Sequence, residues 1–250
     1  MGLPNRRCHR RRRLRREGVE VPRYANSPWR QLFASTGFNR VFALDPATGM
    51  EIWTFDPKVD FSKAYSEMFT SRGVAAWQDT EAVAGPCRTR IFLGTLDARL
   101  FALDGETGVP CTDFGEGGEV DLAADVWRYR KRDYSVTSPP TVVGDAVIVG
   151  SAIGDNGAAQ LEPGVVRAYD VREGTLVWSW DPVPRSDDHG GADGWATVRR
   201  NRTGGANVWS VMSADPGAEP SIPPHDLAFA GLLRRQASRA QRLRKLGGCP

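Results

Sequence analysis

Histidine is scarce in this chain, with three copies in 250 residues, at positions 9, 189 and 225. Cysteine is nearly as rare: there are four, and no two form a Cys-x-x-Cys pair. That leaves no spacing for a zinc finger, a zinc-bound water or a thioredoxin-like redox pair. Long apolar runs are missing too, so no stretch reads as a membrane-spanning helix. No apolar segment follows the arginines that end at Arg16, which speaks against a secretory or twin-arginine leader in this sequence.

Charge is present but unevenly placed. The overall balance is only +3. Residues 1–23 carry nine arginines against Glu17 and Glu20, and residues 226–250 carry six basic residues against Asp226. Between these ends stand 18 basic and 27 acidic residues. An acidic body with two arginine-rich ends is a break in composition. The expected division is a basic tail over 1–34, a body over 35–216 and a second basic tail over 217–250. Three readings of the tails stay open: arms that neutralise nucleic-acid phosphates, a targeting segment, and out-of-frame translation of a GC-rich gene. Residues 226–246 also have the pattern of a basic amphipathic helix with Asp226 as cap.

What the body does contain is a pattern written three times. The copies run from Arg40 to Trp53, from Arg99 to Gly108 and from Val166 to Trp178. Each has an apolar run, then Asp45, Asp104 or Asp170, then a short turn ending in Gly, and then more apolar residues. Asp binds its own backbone in a turn, and Gly accepts positive φ. The unit is therefore a β-hairpin. Steps of about 60 residues suit four-stranded propeller blades with inserted loops. The third copy predicts strands over 140–143, 146–151, 164–170 and 175–180. Runs such as Val147-Ile148-Val149 lack alternation, as strands buried on both faces do.

Trp53 and Trp178 stand at the same place in their copies. Each ring is expected to cover a neighbouring turn while its N–H bonds a carbonyl there. The middle copy has Thr112 at that place, after Cys111, so its blade must be held in another way. Cys87 and Cys111 bracket this hairpin. Joined, they would contribute about 3 kcal/mol by closing the loop and suit an oxidising compartment; two buried thiols are the alternative.

The repeat resembles the tryptophan-docking repeat of the quinoprotein dehydrogenases, which bind pyrroloquinoline quinone (PQQ). Ser71-Arg-Gly-Val-Ala-Ala-Trp77 is similar to that family's Arg-Gly-Val-Ala-Tyr-Trp segment. The stretch from Cys87 to Leu100, Thr137-Ser-Pro-Pro140, Gly150-Ser-Ala-Ile-Gly-Asp-Asn156 and Gly205-Ala-Asn-Val-Trp-Ser210 resemble its membrane-bound glucose, quinate and polyol branch. The resemblance spans about residues 35–216. It implies an all-β fold, a partial propeller of about three four-stranded blades plus the first strand of a fourth. The family's ring has eight blades, so this sequence is expected to be a piece of a longer propeller, fragmentary or truncated. An incomplete ring leaves blade faces and strand edges uncovered.

The resemblance also implies chemistry: oxidation of a sugar or polyol hydroxyl by base-assisted hydride transfer to PQQ, with electrons passed to ubiquinone or another quinone. Calcium would polarise the quinone oxygen, held by hard oxygen ligands. The implied location is the periplasm or the periplasmic face of the inner membrane. Arg72 is the candidate for a PQQ carboxylate, since guanidinium pairs bidentately with carboxylates. Thr137 and Ser138 offer hydroxyls, and Asn207 its amide. Trp77 and Trp209 either wall the cofactor pocket or fill blade cores. Asp187 is the candidate base, in the loop after Trp180-Asp-Pro182, beside Asp188 and His189. No residue is assigned to a metal. Two departures from the family stand out: Ala76 replaces the aromatic residue beside Trp77, and no basic residue follows the Asn-x-Trp segment in Asp215-Pro-Gly-Ala-Glu219. The alternative to an enzyme is a non-catalytic propeller scaffold that binds other proteins, and Arg72 with Thr137 and Ser138 argues against it. A nucleic acid is not among the expected partners.

Overall fold

The computed structural model describes residues 30–65, 67–124, 126, 133–154, 162–185 and 206–215. Every regular element among them is a strand, and every strand pairing is antiparallel. β1 (Leu32–Ser35), β2 (Val41–Leu44) and β3 (Glu51–Phe55) form a three-stranded meander. β4 (Ala75–Gln78), β5 (Thr89–Gly94), β6 (Arg99–Asp104) and β7 (Glu119–Asp121) form a four-stranded one. β8 (Tyr134–Ser135) pairs with β11 (Ala152–Ile153). β9 (Thr141–Val143), β10 (Ala146–Val149), β12 (Val166–Asp170) and β13 (Leu176–Trp180) complete a second four-stranded sheet. The basic segments 1–23 and 226–250, with the helix expected over 226–246, lie outside the described residues.

The repeat in sequence is a repeat in geometry. Asp45 Oδ1 accepts the N–H groups of Ala47 and Thr48 at 2.9 and 2.8 Å and the Thr48 hydroxyl at 2.9 Å. Asp104 Oδ1 does the same for Glu106 and Thr107, and Asp170 Oδ1 for the N–H groups of Arg172 and Glu173. Each turn ends on a glycine in the left-handed region, with φ of +71° at Gly49, +73° at Gly108 and +70° at Gly174. Its N–H returns to the Asp carbonyl at 2.8, 2.8 and 3.0 Å respectively. A short side chain whose one oxygen accepts several donors at the first position, and no Cβ at the fifth, is what this turn demands. In the first and third copies the strand register shifts at the same place, just before the Asp.

The middle copy departs from the expected hairpin. Cys111 N–H still bonds the Ala102 carbonyl at 2.8 Å, but no strand follows it. The chain loops through Phe114 and comes back as β7 on the far side of β6. Of the region where the opening strand of a fourth blade is expected, residues 206–215 are described, and they form no strand.

The cores explain why the strands lack alternation. Leu100 and Ala102 of β6 point into a cluster with Phe92, Phe114, Val147, Val149 and Tyr169, between the two four-stranded sheets. Phe101 and Leu103 point the other way, to Val41, Ala43 and Trp53 of the first sheet. β6 is thus sandwiched, and both of its faces must be apolar. β10 repeats the arrangement: Val147 and Val149 face the inner cluster, while Ile148 packs with Ala168, Trp178 and Val208. Arginines tie the sheets together across their edges. Arg172, in the third turn, bonds Asp79 at 3.0 Å and lies 4.7 Å over the Trp77 ring. Arg90 donates to the Arg172 carbonyl at 3.0 Å. Buried Arg167 donates to the Leu122 carbonyl at 2.7 Å and to the hydroxyls of Tyr169 and Tyr134.

Candidate functional site

Three loops that are distant in sequence meet at one end of the sheets. The first, Ser71–Gly73, leads into β4. Its Arg72 N–H bonds the Thr137 carbonyl at 3.1 Å, which anchors it to the second loop, Thr137–Pro139, ahead of β9. Ser71 is held from the other side by a 2.8 Å hydroxyl contact with Ser35.

The third segment, Ala206–Ser210, is seated by missing side chains. A Cβ built on Gly150 would fall closer than 3.0 Å to the Val208 carbonyl oxygen, and one on Gly164 closer than 3.0 Å to that of Ala206. Only glycine lets backbone approach backbone so closely. Asn207 completes the anchor by donating its amide to the Ser151 carbonyl at 2.7 Å.

At the meeting point Arg72 is exposed, yet it is positioned. Its Nη1 donates to the carbonyls of Thr137 at 3.2 Å and Trp209 at 3.4 Å. Its guanidinium carbon lies 5.0 Å over the Trp209 ring, a cation–π arrangement. The Thr137 hydroxyl reaches the same Trp209 carbonyl at 3.2 Å. Of the five guanidinium donors, those on Nε and Nη2 have no acceptor among the described residues. A planar pair of donors left open toward solvent, on a fixed guanidinium, fits a carboxylate or phosphate oxygen pair.

Arg72, Thr137 and Asn207 are therefore placed on one loop cluster, and Ser138 is buried beside Thr137. Trp77 stands elsewhere. It is buried in the cluster between the four-stranded sheets with Arg172 over its ring. Among the described residues no hydrogen bond or ring contact joins it to Arg72, Thr137 or Asn207. The aromatic member of the loop cluster is Trp209, which is 52% exposed. Asp187, with Asp188 and His189, lies outside the described residues. The part played by the Trp209 carbonyl, which two side chains share, had no sequence signal. The glycine pair at 150 and 164 did carry one, since a glycine beside a strand marks close backbone approach.

Around Arg72 the described residues offer carbonyls and hydroxyls but no carboxylate. The one grouping of conventional ligand side chains among the described residues is Cys87, Cys111 and Asp113. Its two sulfurs are joined as a disulfide with Cα atoms 5.8 Å apart, which removes the thiolates a metal would need. The described residues thus fit a cofactor carboxylate at Arg72, and among them no cluster of carboxylates suited to calcium is found.

A sequence profile described as the β-propeller domain of PQQ-dependent glucose/ethanol/alcohol dehydrogenases matches residues 21–219. The glycerol dehydrogenase large subunit of Gluconobacter thailandicus is 36% identical over 187 residues, which is 74% of this chain and 24% of that protein. The quinate/shikimate dehydrogenase (quinone) of Acinetobacter baylyi is 33% identical over 203 residues, with the same coverage of both. Among solved structures, the quinohemoprotein alcohol dehydrogenase of Comamonas testosteroni superposes with a TM-score of 0.59 at 25% identity, over 74% of this chain and 26% of that one. The chain spans about a quarter of the length of the curated relatives it matches. The profile, the relatives and the superposed propeller agree with the hairpin geometry: the chain belongs to the PQQ-type quinoprotein dehydrogenase family.

Proposed function

We propose that this chain supplies part of the cofactor-binding face of a PQQ-dependent dehydrogenase that oxidises a sugar or polyol hydroxyl. The observation that carries the reading is the exposed Arg72 guanidinium, held by the Thr137 and Trp209 carbonyls and the Trp209 ring, with the donors on Nε and Nη2 open. PQQ bears carboxylates, and when bound it supplies an electrophilic quinone carbon that accepts hydride from the alcohol carbon. Arg72 binds one cofactor carboxylate through Nε and Nη2. Thr137 and Trp209 hold the guanidinium in plane, so little side-chain freedom is lost on binding. Asp187 is assigned the role of base for the substrate hydroxyl proton, from its place after the third hairpin.

Calcium, a quinone acceptor and a periplasm-facing location complete the proposal on family grounds. The Cys87–Cys111 disulfide supports an oxidising compartment.

Titration of the protein with PQQ, followed by the cofactor's absorbance, tests the reading. Loss of the charge-assisted pair in Arg72→Ala should weaken binding by roughly ten- to a hundredfold. Arg72→Lys should recover only part of this, because an ammonium lacks the planar fork. Equal affinity for the wild type and Arg72→Ala, or no binding by either, would sink the proposal.

A further inference from the structure

One repeated position seats all three loops of the cluster. Opposite the residue four before each turn aspartate, on the preceding strand, stand Ser35, Gly94 and Gly150. Ser35 pairs with Val41 and Gly94 with Leu100. Gly150 lies one step beyond the Val149–Arg167 pair, in line with Val166. Each of the three touches the residue immediately ahead of a group in the candidate site. A Cβ on Gly94 would fall closer than 3.0 Å to the side chain of Val136, which precedes Thr137. One on Gly150 would meet the carbonyl oxygen of Val208, which precedes Trp209. Ser35 reaches Ser71, which precedes Arg72, through the 2.8 Å bond between their hydroxyls.

Two of these seats are made by room, and the first is made by a hydrogen bond. The close approach that glycine permits in the other copies occurs here two residues later: a Cβ on Gly37 would come 2.6 Å from the Phe69 carbonyl oxygen. What Ser35 adds is direction. On the far side of Arg72 stands Gly73, at a φ of +134°, and glycine restrains the backbone least. The hold on Arg72 therefore comes from its own N–H, bonded to the Thr137 carbonyl at 3.1 Å, and from the Ser71 side. Two fixings on adjacent residues set the way the Arg72 side chain leaves the loop.

We propose that Ser35 is a positioning residue for Arg72. Its hydroxyl fixes Ser71, and through Ser71 the direction in which the guanidinium offers Nε and Nη2 to a PQQ carboxylate. This rests on the cofactor reading given above. A guanidinium held in place beforehand loses less freedom on binding, so loss of the Ser35 bond is read in PQQ affinity.

PQQ titrations followed by the cofactor's absorbance test this, with a thermal melt of each variant to show that it is folded. Ser35→Ala and Ser71→Ala should each weaken binding by roughly two- to tenfold, the range for one neutral hydrogen bond. Together they should weaken it no more than either alone, because both break the same bond. Ser35→Gly should bind as weakly as Ser35→Ala, although glycine is the residue that the other two copies carry there. In the Arg72→Ala background Ser35→Ala should have no further effect. Wild-type affinity in Ser35→Ala or Ser35→Gly, with Arg72→Ala weakened, would overturn the role of Ser35 and leave the cofactor reading standing. An equal loss from Ser35→Ala with and without Arg72 would show a general structural contribution, and would overturn that role too. Arg72→Ala binding as tightly as the wild type, or no binding by the wild type, would overturn the cofactor reading and this inference with it.

Discussion

Trp53 and Gly105 are 52 residues apart and share a 3.0 Å buried hydrogen bond from indole N–H to carbonyl oxygen. This bond is polar, and the same ring is also the largest apolar body in the seam, tilted against Phe33 at 5.9 Å. Gly108 owes its identity to that ring as much as to its own backbone, since a side chain there would enter the indole.

Truncating Trp53 to Ala should therefore remove both terms and cost about 3–5 kcal/mol, the range for emptying an aromatic core position. Trp53→Phe keeps most of the packing but leaves the Gly105 carbonyl without its donor, at a cost of about 1–3 kcal/mol. Urea unfolding of the two variants checks the order. If Trp53→Phe unfolds at the wild-type midpoint, the hydrogen bond contributes nothing; if both variants lose the same amount, the ring packing contributes nothing.

On the other side of the second sheet no tryptophan covers the third turn, and the loop that does so starts from a covalent crosslink. Cys87, at the approach to β5, is joined to Cys111 just after the second turn. Its N–H also bonds Asp104 Oδ2. The crosslink fixes the start of the loop that carries Phe114 onto the third turn. Opening it should cost about 3 kcal/mol, from the entropy of a 24-residue loop. Reduced wild type and the double variant Cys87→Ala, Cys111→Ala should melt at the same lower temperature. A melting temperature indifferent to reductant would mean that the loop is held by Phe114 and its neighbours alone.

These two seams show what the sequence could and could not reveal. The turns were legible because Asp, Gly and their spacing are dictated by local backbone chemistry, which a sequence states directly. The strand bounds near Val41, Ala146 and Val166 followed from the same punctuation. The docking of Trp53 was legible as a need for a carbonyl, and the repeat supplied the partner. Phe114 was not legible as a substitute, because its role depends on a loop crossing to another sheet. The Cys87–Cys111 pairing hung between two readings for a similar reason: spacing alone does not bring two Cα atoms together. At the candidate site, Arg72, Thr137 and Asn207 were placed by resemblance, and each does lie on the loop cluster. Trp77 had two readings open to it, pocket wall or blade core. It neighbours Arg72 in sequence, but strand alternation turns its ring into the core, where Arg172 covers it.

The last link is electrostatic and predicts how stability falls in acid. Asp79 follows β4 and accepts Arg172 Nε at 3.0 Å and Nη2 at 3.3 Å. Those bonds, helped by the N–H groups of Glu81 and Ala82, lower its pKa from 3.8 to about 2 and outweigh its partial desolvation. A carboxylate whose pKa is depressed on folding stabilises the fold while it is ionised in both states. That contribution is complete above the unfolded value of 3.8 and is lost as pH falls from there through about 2. Asp79→Asn cannot ionise, so it lacks the contribution at every pH. The gap in urea midpoint between wild type and Asp79→Asn should therefore be constant from neutral pH down to about pH 5, then narrow toward pH 2. The position is partly solvated, so the gap itself should be modest and should shrink in high salt. A gap that stays constant through the acid range would show that Arg172 is held by the Trp77 ring and by Asp145, 3.3 Å from its Nη1, and not by the Asp79 charge.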